Sequence, residues 1–336
     1  MRISGTIAGL LVLSLASLAM SPPQATDKRA DTVKVRTTPY LGFAPFFIAR
    51  AERFFVDEGL DVQFVDMTAA AEALAGLVRG DLDVVSGAIS PGLFNAIARG
   101  ADIRLVASQT VIGRNACTYV ALMASHAVVQ RGALNGASGL RGLRIGTRES
   151  FATAYFAETV LKTYGLTMAG MQTVDVPESI AAEALKAGRI DLAIIGEPWL
   201  TRAAAANAGV IWKQIEEVIP GFDFSVVLYG SRLLNSNPDV GRRFMTAYLR
   251  GARQFNMGKT QRNMEILSAE TGLDRDQLTR SCWPSVRGDG VVNVPSVLAF
   301  QAWTLGRKAV DRSLSLQQIH DGRFVEHANK ARPAAR

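Results

Sequence analysis

Polar and apolar residues alternate from Val33 to Thr38 (VKVRTT), with β-branched side chains among them, which predicts a strand. Pro45 to Glu58 follows with Phe47, Ala51 and Phe54 at helical spacing, and Gly59 supplies the stop. Leu60 to Val65 reads as a second strand. Ala70, Ala73, Leu74, Leu77 and Val78 then form one helical stripe that ends at Gly80, and Asp83-Val84-Val85 opens a third strand. The same order returns later in the chain. Leu143 to Gly146 is strand-like, Phe151 to Tyr164 is helical, and Gly165-Leu166 stands where Gly59-Leu60 stood. Met171 to Val176 is the next strand. Ile180, Ala181, Ala184 and Leu185 make a helical stripe ending at Gly188, and Ile190 to Ile195 is the third strand. Gly80-x-Leu82-Asp83-Val84 aligns with Gly188-x-Ile190-Asp191-Leu192, 108 positions on. Two copies of one βαβαβ unit account for the match in order, stops and spacing. Two unrelated α/β domains are the competing reading.

This plan predicts where a ligand goes. Strand-helix-strand crossovers are right-handed and give parallel sheets covered by helices. In open sheets of this kind ligands sit beyond the carboxyl ends of the strands, where helix N-termini present free backbone N–H groups. Two such lobes face to face would form a cleft able to close by hinge motion.

Other features narrow the class. Arg2, the apolar run Ile7 to Met20 and the helix-breaking Ser21-Pro-Pro have the layout of a secretory signal peptide, with an apolar core short for a bilayer span. Small residues offer cleavage after Ala19 or after Ala25, and no cysteine near either suggests a lipid anchor. About 310 mature residues exceed one ordinary domain, so two packed lobes are expected. The chain carries 37 basic and 30 acidic residues, a net charge of +7, scattered without aromatic interleaving, which is not a nucleic-acid footprint. Cys117 and Cys282 either form one disulfide in an oxidising compartment or are two buried thiols. His126, His320 and His327 lie outside any metal-ligand spacing, and there is no nucleophile elbow, phosphate loop or dinucleotide fingerprint. No cofactor, no metal and no catalytic residue is expected.

Leu41-Gly-Phe-Ala-Pro-Phe-Phe-Ile-Ala-Arg and Phe54-Phe-Val-Asp-Glu-Gly-Leu-Asp-Val resemble the opening signature of nitrate/sulfonate/taurine-type periplasmic binding proteins. Ala96-Ile-Ala-Arg-Gly-Ala, Leu140-Arg-Gly-Leu-Arg-Ile-Gly-Thr and Glu197-Pro-Trp fit the same pattern, and the similarity runs from about Thr32 to Trp212. That broad family includes binders of thiamine-pyrimidine precursors. The resemblance implies an α/β, two-lobed type II periplasmic-binding-protein (Venus flytrap) fold with a βαβαβ unit in each lobe. With residues 1–25 as signal peptide, lobe 1 would hold 31–114 and 227–336, and lobe 2 would hold 115–226. The crossings fall near Gly113 to Thr118 and Phe222 to Val226.

The cleft candidates follow from strand ends. In Tyr40-Leu-Gly-Phe43, Gly42 permits close backbone approach and Phe43 offers a ring face, unless Phe43 merely fixes the helix to the core. Ser86 and Ser90 bear hydroxyls after the third strand, where Ser90 is equally suited to cap the helix beginning near Pro91. In the second unit, Thr147 and Ser150 supply hydroxyls, and Arg148 would contact a carboxylate or sulfonate, or pair with a surface acid. Glu197 would accept from an amine or hydroxyl, or anchor its own loop, and Trp199 would stack on a ring. Tyr229 is a weaker candidate just past the second crossing. Trp283 and Trp303 are expected in the core.

These readings favour an extracytoplasmic solute-binding component of an ABC importer. It would be periplasmic, soluble after cleavage and monomeric, with a small-molecule ligand and a membrane permease as partners. The ligand would be a small organic anion or heterocycle that is sulfonate-, aromatic-acid- or pyrimidine-like. A periplasmic sensor-binding protein has the same sequence features. A cytosolic-type pyrimidine-precursor synthesis enzyme would carry a cysteine-rich motif, absent here. The effector lobe of a transcription regulator would need an N-terminal helix-turn-helix before the first strand.

Overall fold

The computed structural model describes residues 1, 30–67, 69–113, 117–147 and 151–331. The expected signal segment therefore lies outside the described residues. The first unit of the repeat forms β1 (Asp31–Thr37), β2 (Leu60–Asp66) and β3 (Val84–Ala88), and β4 (Ile103–Val111) follows. Next come β5 (Val120–Ala124), β6 (Arg144–Gly146), β7 (Gln172–Val174), β8 (Leu192–Gly196) and β9 (Val210–Gln214). Strands β10 (Asp223–Gly230) and β11 (Ser285–Val286) complete the set. They make two sheets, one ordered β11-β4-β10-β3-β1-β2 and the other β7-β6-β8-β5-β9.

Both repeats are realised with the same local chemistry. β1 lies parallel between β2 and β3, and β6 lies parallel between β7 and β8. Before β3, Asp83 accepts the Lys34 backbone N–H on its carboxylate and donates its own N–H to Lys34 O. Before β8, Asp191 makes the same two bonds with Arg144. The aspartate that sequence alignment pairs thus has one job in both lobes, pinning the third strand to the first. Arg232 compensates the charge of Asp83, and Arg144 that of Asp191, each at 3.0 Å.

Two expectations need correction. The sheets are not purely parallel. β10 runs antiparallel between β3 and β4, and β5 antiparallel between β8 and β9, because each lobe receives a strand from outside its βαβαβ unit. The helix expected over Pro45 to Glu58 is two pieces, Ala44–Ala51 and Phe54–Asp57. Arg53 takes a left-handed conformation between them (φ 60°), and Phe55 stacks on Phe244 with ring centroids 5.0 Å apart. That contact lies on the long helix Pro238–Phe255, which crosses Ala44–Ala51 closely. A Cβ at Gly251 would stand 2.2 Å from Pro45 O, so only glycine allows this approach.

The chain leaves the first sheet after Val111 and returns at Asp223, so residues 223–226 belong to β10 of that sheet. The lobes also share packing. Phe222 sits 5.1 Å from Phe156 of the helix Ala152–Lys162 and 6.1 Å from Phe300 of the helix Val294–Gly306. Arg307 pairs with Glu158 at 2.9 Å across the same junction. The two cysteines are bonded to each other, tying the segment before β5 to the segment before β11.

Candidate functional site

The strand ends of the two sheets face a common cavity of about 530 Å³. One wall is built by Thr38, Tyr40, Gly42 and Phe43 after β1, by Gly87 and Ala88 at the end of β3, and by Gln109 and Thr110 in β4. The other is built by Thr147 after β6, by Phe151 and Thr153 at the next helix, by Val176 to Ser179 after β7, and by Gly196 to Trp199 after β8. A cavity of this size accommodates a compound of one or two rings.

Several expected residues line it. Tyr40 is half exposed, whereas Phe43 is 7% exposed and packs against Phe46 in the core, with the Arg36 guanidinium over its ring at 5.1 Å. Gly42 lends its carbonyl to the Gln109 amide, and a Cβ there would make only ordinary contact. Thr147 is buried and donates to Thr153 Oγ1 at 3.1 Å. Trp199 is half-buried, and Arg202 covers one of its faces at 4.8 Å.

Glu197 lines the cavity, yet both its oxygens are engaged by protein. Oε1 accepts from Thr201 Oγ1 (2.5 Å) and from the Cys282 backbone N–H (3.3 Å), and Oε2 accepts the Thr201 backbone N–H (3.2 Å). It anchors its loop, one of the two roles expected of it.

Other candidates are placed elsewhere. Ser86 is fully buried, with its carbonyl on Arg36 and its hydroxyl without a partner among the described residues. Ser90 occupies the N-cap of the helix Pro91–Ala98, makes no side-chain cap bond, and is not among the lining residues. Tyr229 lies in the core. Its hydroxyl donates to Gly241 O at 2.9 Å and its ring meets Phe244 and Phe324. Arg148 and Ser150 lie outside the described residues.

The chemistry missed in the sequence is polar. Arg36 lines the cavity but donates to Met67 O and Ser86 O, both at 2.7 Å. Burial lowers its pKa against the opposing effect of Asp66. Glu178 accepts the Gly196 N–H on Oε2 at 2.9 Å, and burial raises its carboxyl above the ordinary range. Burial, followed by the Glu178 and Glu197 charges, holds the Tyr119 phenol well above its usual value, so Tyr119 is a neutral hydroxyl. Glu178 stands just past the end of β7, where the strand-end rule could have found it.

Residues 27–268 match the model of the NMT1-like family. The chain belongs to the NMT1-like family. No curated protein matches its sequence. Solved structures share the fold of this NMT1-like protein at low identity. The ligand-binding component of an ABC-type import system from Staphylococcus aureus, solved with zinc bound, has a TM-score of 0.70 at 16% identity, over 89% of this chain and 99% of that one. The nitrate-binding protein NrtA from Synechocystis PCC 6803 gives 0.69 at 13%, over 90% and 89%. The aliphatic sulphonate binding protein SsuA from Escherichia coli gives 0.68 at 16%, over 86% and 91%. The NMT1-like chain is therefore built on the two-lobed fold of periplasmic binding proteins. Among the described residues, no helix is long and apolar enough to cross a membrane.

Proposed function

We propose that this protein is the extracytoplasmic solute-binding component of an ABC importer. It takes a small organic anion or heterocycle into the cleft and passes it unaltered to a membrane permease. The observation that carries this reading is the cavity itself, whose walls are the matched strand ends of two repeats, including Phe43 on one side and Thr147 and Trp199 on the other. Solved structures of this fold include, by their own descriptions, a ligand-binding component of an ABC-type import system, a periplasmic aliphatic sulphonate binding protein and a periplasmic nitrate-binding protein. The N-terminal layout supports export to the periplasm, where the mature chain acts as a soluble monomer.

A solute that contacts both walls stabilises the folded state by mass action. A thermal-shift screen of the mature protein against sulfonates, aromatic acids, pyrimidines and nitrate should give at least one saturable rise in melting temperature. Trp199→Ala should reduce that rise. A screen without a hit, or a hit recovered chemically altered by pure protein, counts against the proposal.

A further inference from the structure

The two lobes carry opposite charge at matched positions. Asp83 and Asp191 pin Lys34 and Arg144 in the same way, so the chain around them can be compared residue by residue. Three positions before Lys34 stands Asp31, and three before Arg144 stands Arg141. Two before Asp83 is Asp81, and two before Asp191 is Arg189. Two carboxylates of the first lobe are thus guanidiniums in the second.

Arg144 opens β6 and Arg189 precedes β8, at the end of the sheet away from the cleft. β5 finishes there, with the Ser125 N–H on Asp191 O, and Arg131 follows the helix His126–Gln130. Two helices flank the sheet on opposite faces. Ala152–Lys162 shares a core with Leu192 and Ile194, and Ala181–Lys186 shares one with Ala193 and Ile195. Each runs back from the cleft and ends in a lysine.

Acids are scarce at this pole. Asp191 is shared by Arg144 at 3.0 Å and Arg131 at 3.7 Å. Lys162 meets Glu158 at 3.6 Å, a carboxylate that also holds Arg307. Glu183 stands one turn back from Lys186 and makes no ion pair among the described residues. Arg141, Lys186 and Arg189 are exposed, again with no ion pair among the described residues. At the matching pole of the first lobe the acids keep pace with the cations: Asp31 pairs with Arg243, Asp81 with Arg79, Asp83 with Arg232 and Asp102 with Arg104.

The cations are spread out and do not converge on a point. Adjacent strands spaced about 4.8 Å apart, with a helix of about 10 Å diameter on either face, set them over about 20 Å. A small anion is held by donors that meet at hydrogen-bond distance. A field of mobile phosphates matches the wider spread, and cations closer together than the screening length of about 8 Å act on it jointly. A bilayer is also the surface that a protein serving a membrane permease meets; this choice of partner rests on the importer reading, whereas the charge asymmetry does not.

We infer that this pole of the second lobe is an interaction surface for an anionic phospholipid bilayer. It holds the protein at the membrane and leaves the cleft, at the other end of the sheet, free.

Cosedimentation of the mature protein with phosphatidylglycerol vesicles and with phosphatidylcholine vesicles tests this. Binding should be confined to phosphatidylglycerol and should fall as salt is added. Arg141→Gln combined with Arg189→Gln should weaken it about thirtyfold. Arg79→Gln combined with Arg104→Gln, which removes the same charge from the first lobe, should leave it near wild type. No binding to phosphatidylglycerol, equal binding to both vesicles, or equal loss in the two double variants overturns the inference. Polyglutamate that binds more tightly than the vesicles, and is lost in the Arg141→Gln, Arg189→Gln variant, assigns the pole to an acidic protein and overturns it too. The solute screen reads the cleft separately, so the importer reading and this surface fail independently.

Discussion

The Glu197 carboxylate, at the end of β8, accepts the backbone N–H of Cys282, which precedes β11 of the other sheet, at 3.3 Å. The same oxygen takes the Thr201 hydroxyl, so one side chain closes the turn after β8 and joins it to the first lobe. The Glu197–Pro198 peptide is cis, and Trp199 begins the helix Trp199–Ala205 directly afterwards. The position of Trp199 on the cleft wall therefore depends on a carboxylate bonded to both lobes.

Glu197→Ala should destabilise the protein by about 1–3 kcal/mol, because it strands the Cys282 and Thr201 donors. Glu197→Gln keeps a carbonyl acceptor and should lose less. Urea unfolding of the two variants checks this. Equal midpoints for alanine and wild type would mean that the contacts carry no weight.

The disulfide acts on the same junction. Cys117 and Cys282 are 165 residues apart in sequence, so the bond removes a long loop from the unfolded ensemble. Breaking it in a Cys117→Ser, Cys282→Ser double variant should cost about 2–5 kcal/mol. Unfolding the wild type with and without reductant should give the same difference. Unchanged midpoints in both experiments would rule this out.

The fold was legible where local chemistry decides it. Glycine stops and the 2.0 and 3.6 periods located both repeats, and the Asp83 and Asp191 pairing reflects an identical local bond pattern. The break at Arg53 was not legible, because it serves a contact between Phe55 and Phe244 far along the chain. The insertion of β10 and β5 was hidden for the same reason: strand pairing is a long-range choice that periodicity does not record. In the site, the strand-end rule reaches Tyr40, Phe43, Thr147 and Glu197, and it holds equally at β4 and β7, where Gln109 and Glu178 stand. Tyr229 illustrates the opposite error, since nothing in a sequence says that a tyrosine hydroxyl will be satisfied by a distant core carbonyl.

Tyr229→Phe should accordingly lower stability by about 1 kcal/mol, the value of one lost core hydrogen bond, with Gly241 O left behind. The solute found in the thermal-shift screen should bind it as it binds wild type. A variant of wild-type stability that binds weakly would return Tyr229 to the cleft.

Acidity offers a further check. Burial raises the Glu178 carboxyl, and the Gly196 N–H only partly offsets this, while the neighbouring Tyr119 phenol supplies no positive charge. Asp223 is raised too, by burial that Ser108 and the Asn293 N–H only partly oppose. With folded values above unfolded ones, both groups hold protons in the native state that the unfolded chain has released. Unliganded stability should therefore fall as pH rises from the ordinary carboxylate range through the raised values. Glu178→Gln should flatten that slope without abolishing it, because Asp223 remains. An identical pH profile for variant and wild type would show that Glu178 titrates normally.

The last prediction separates packing from recognition among the cleft rings. Phe43 touches the cavity, but Phe46 and the Arg36 guanidinium cover it, and it is 7% exposed. Truncation would leave a hole in the core and strip the ring from a buried cation. Phe43→Ala should cost about 3–4 kcal/mol of stability with or without solute. Trp199 is half-buried against the core of its lobe, with Arg202 over its ring, and it lines the cavity. Trp199→Ala should lose only about 1 kcal/mol of stability, as expected where little core is removed, yet weaken solute binding about tenfold. Melting temperature and affinity, measured on both variants, resolve the two roles. If Phe43→Ala melts with the wild type and binds poorly, its ring belongs to the ligand and the packing assignment fails; if Trp199→Ala binds normally, the stacking wall must be sought at Tyr40 or Phe151.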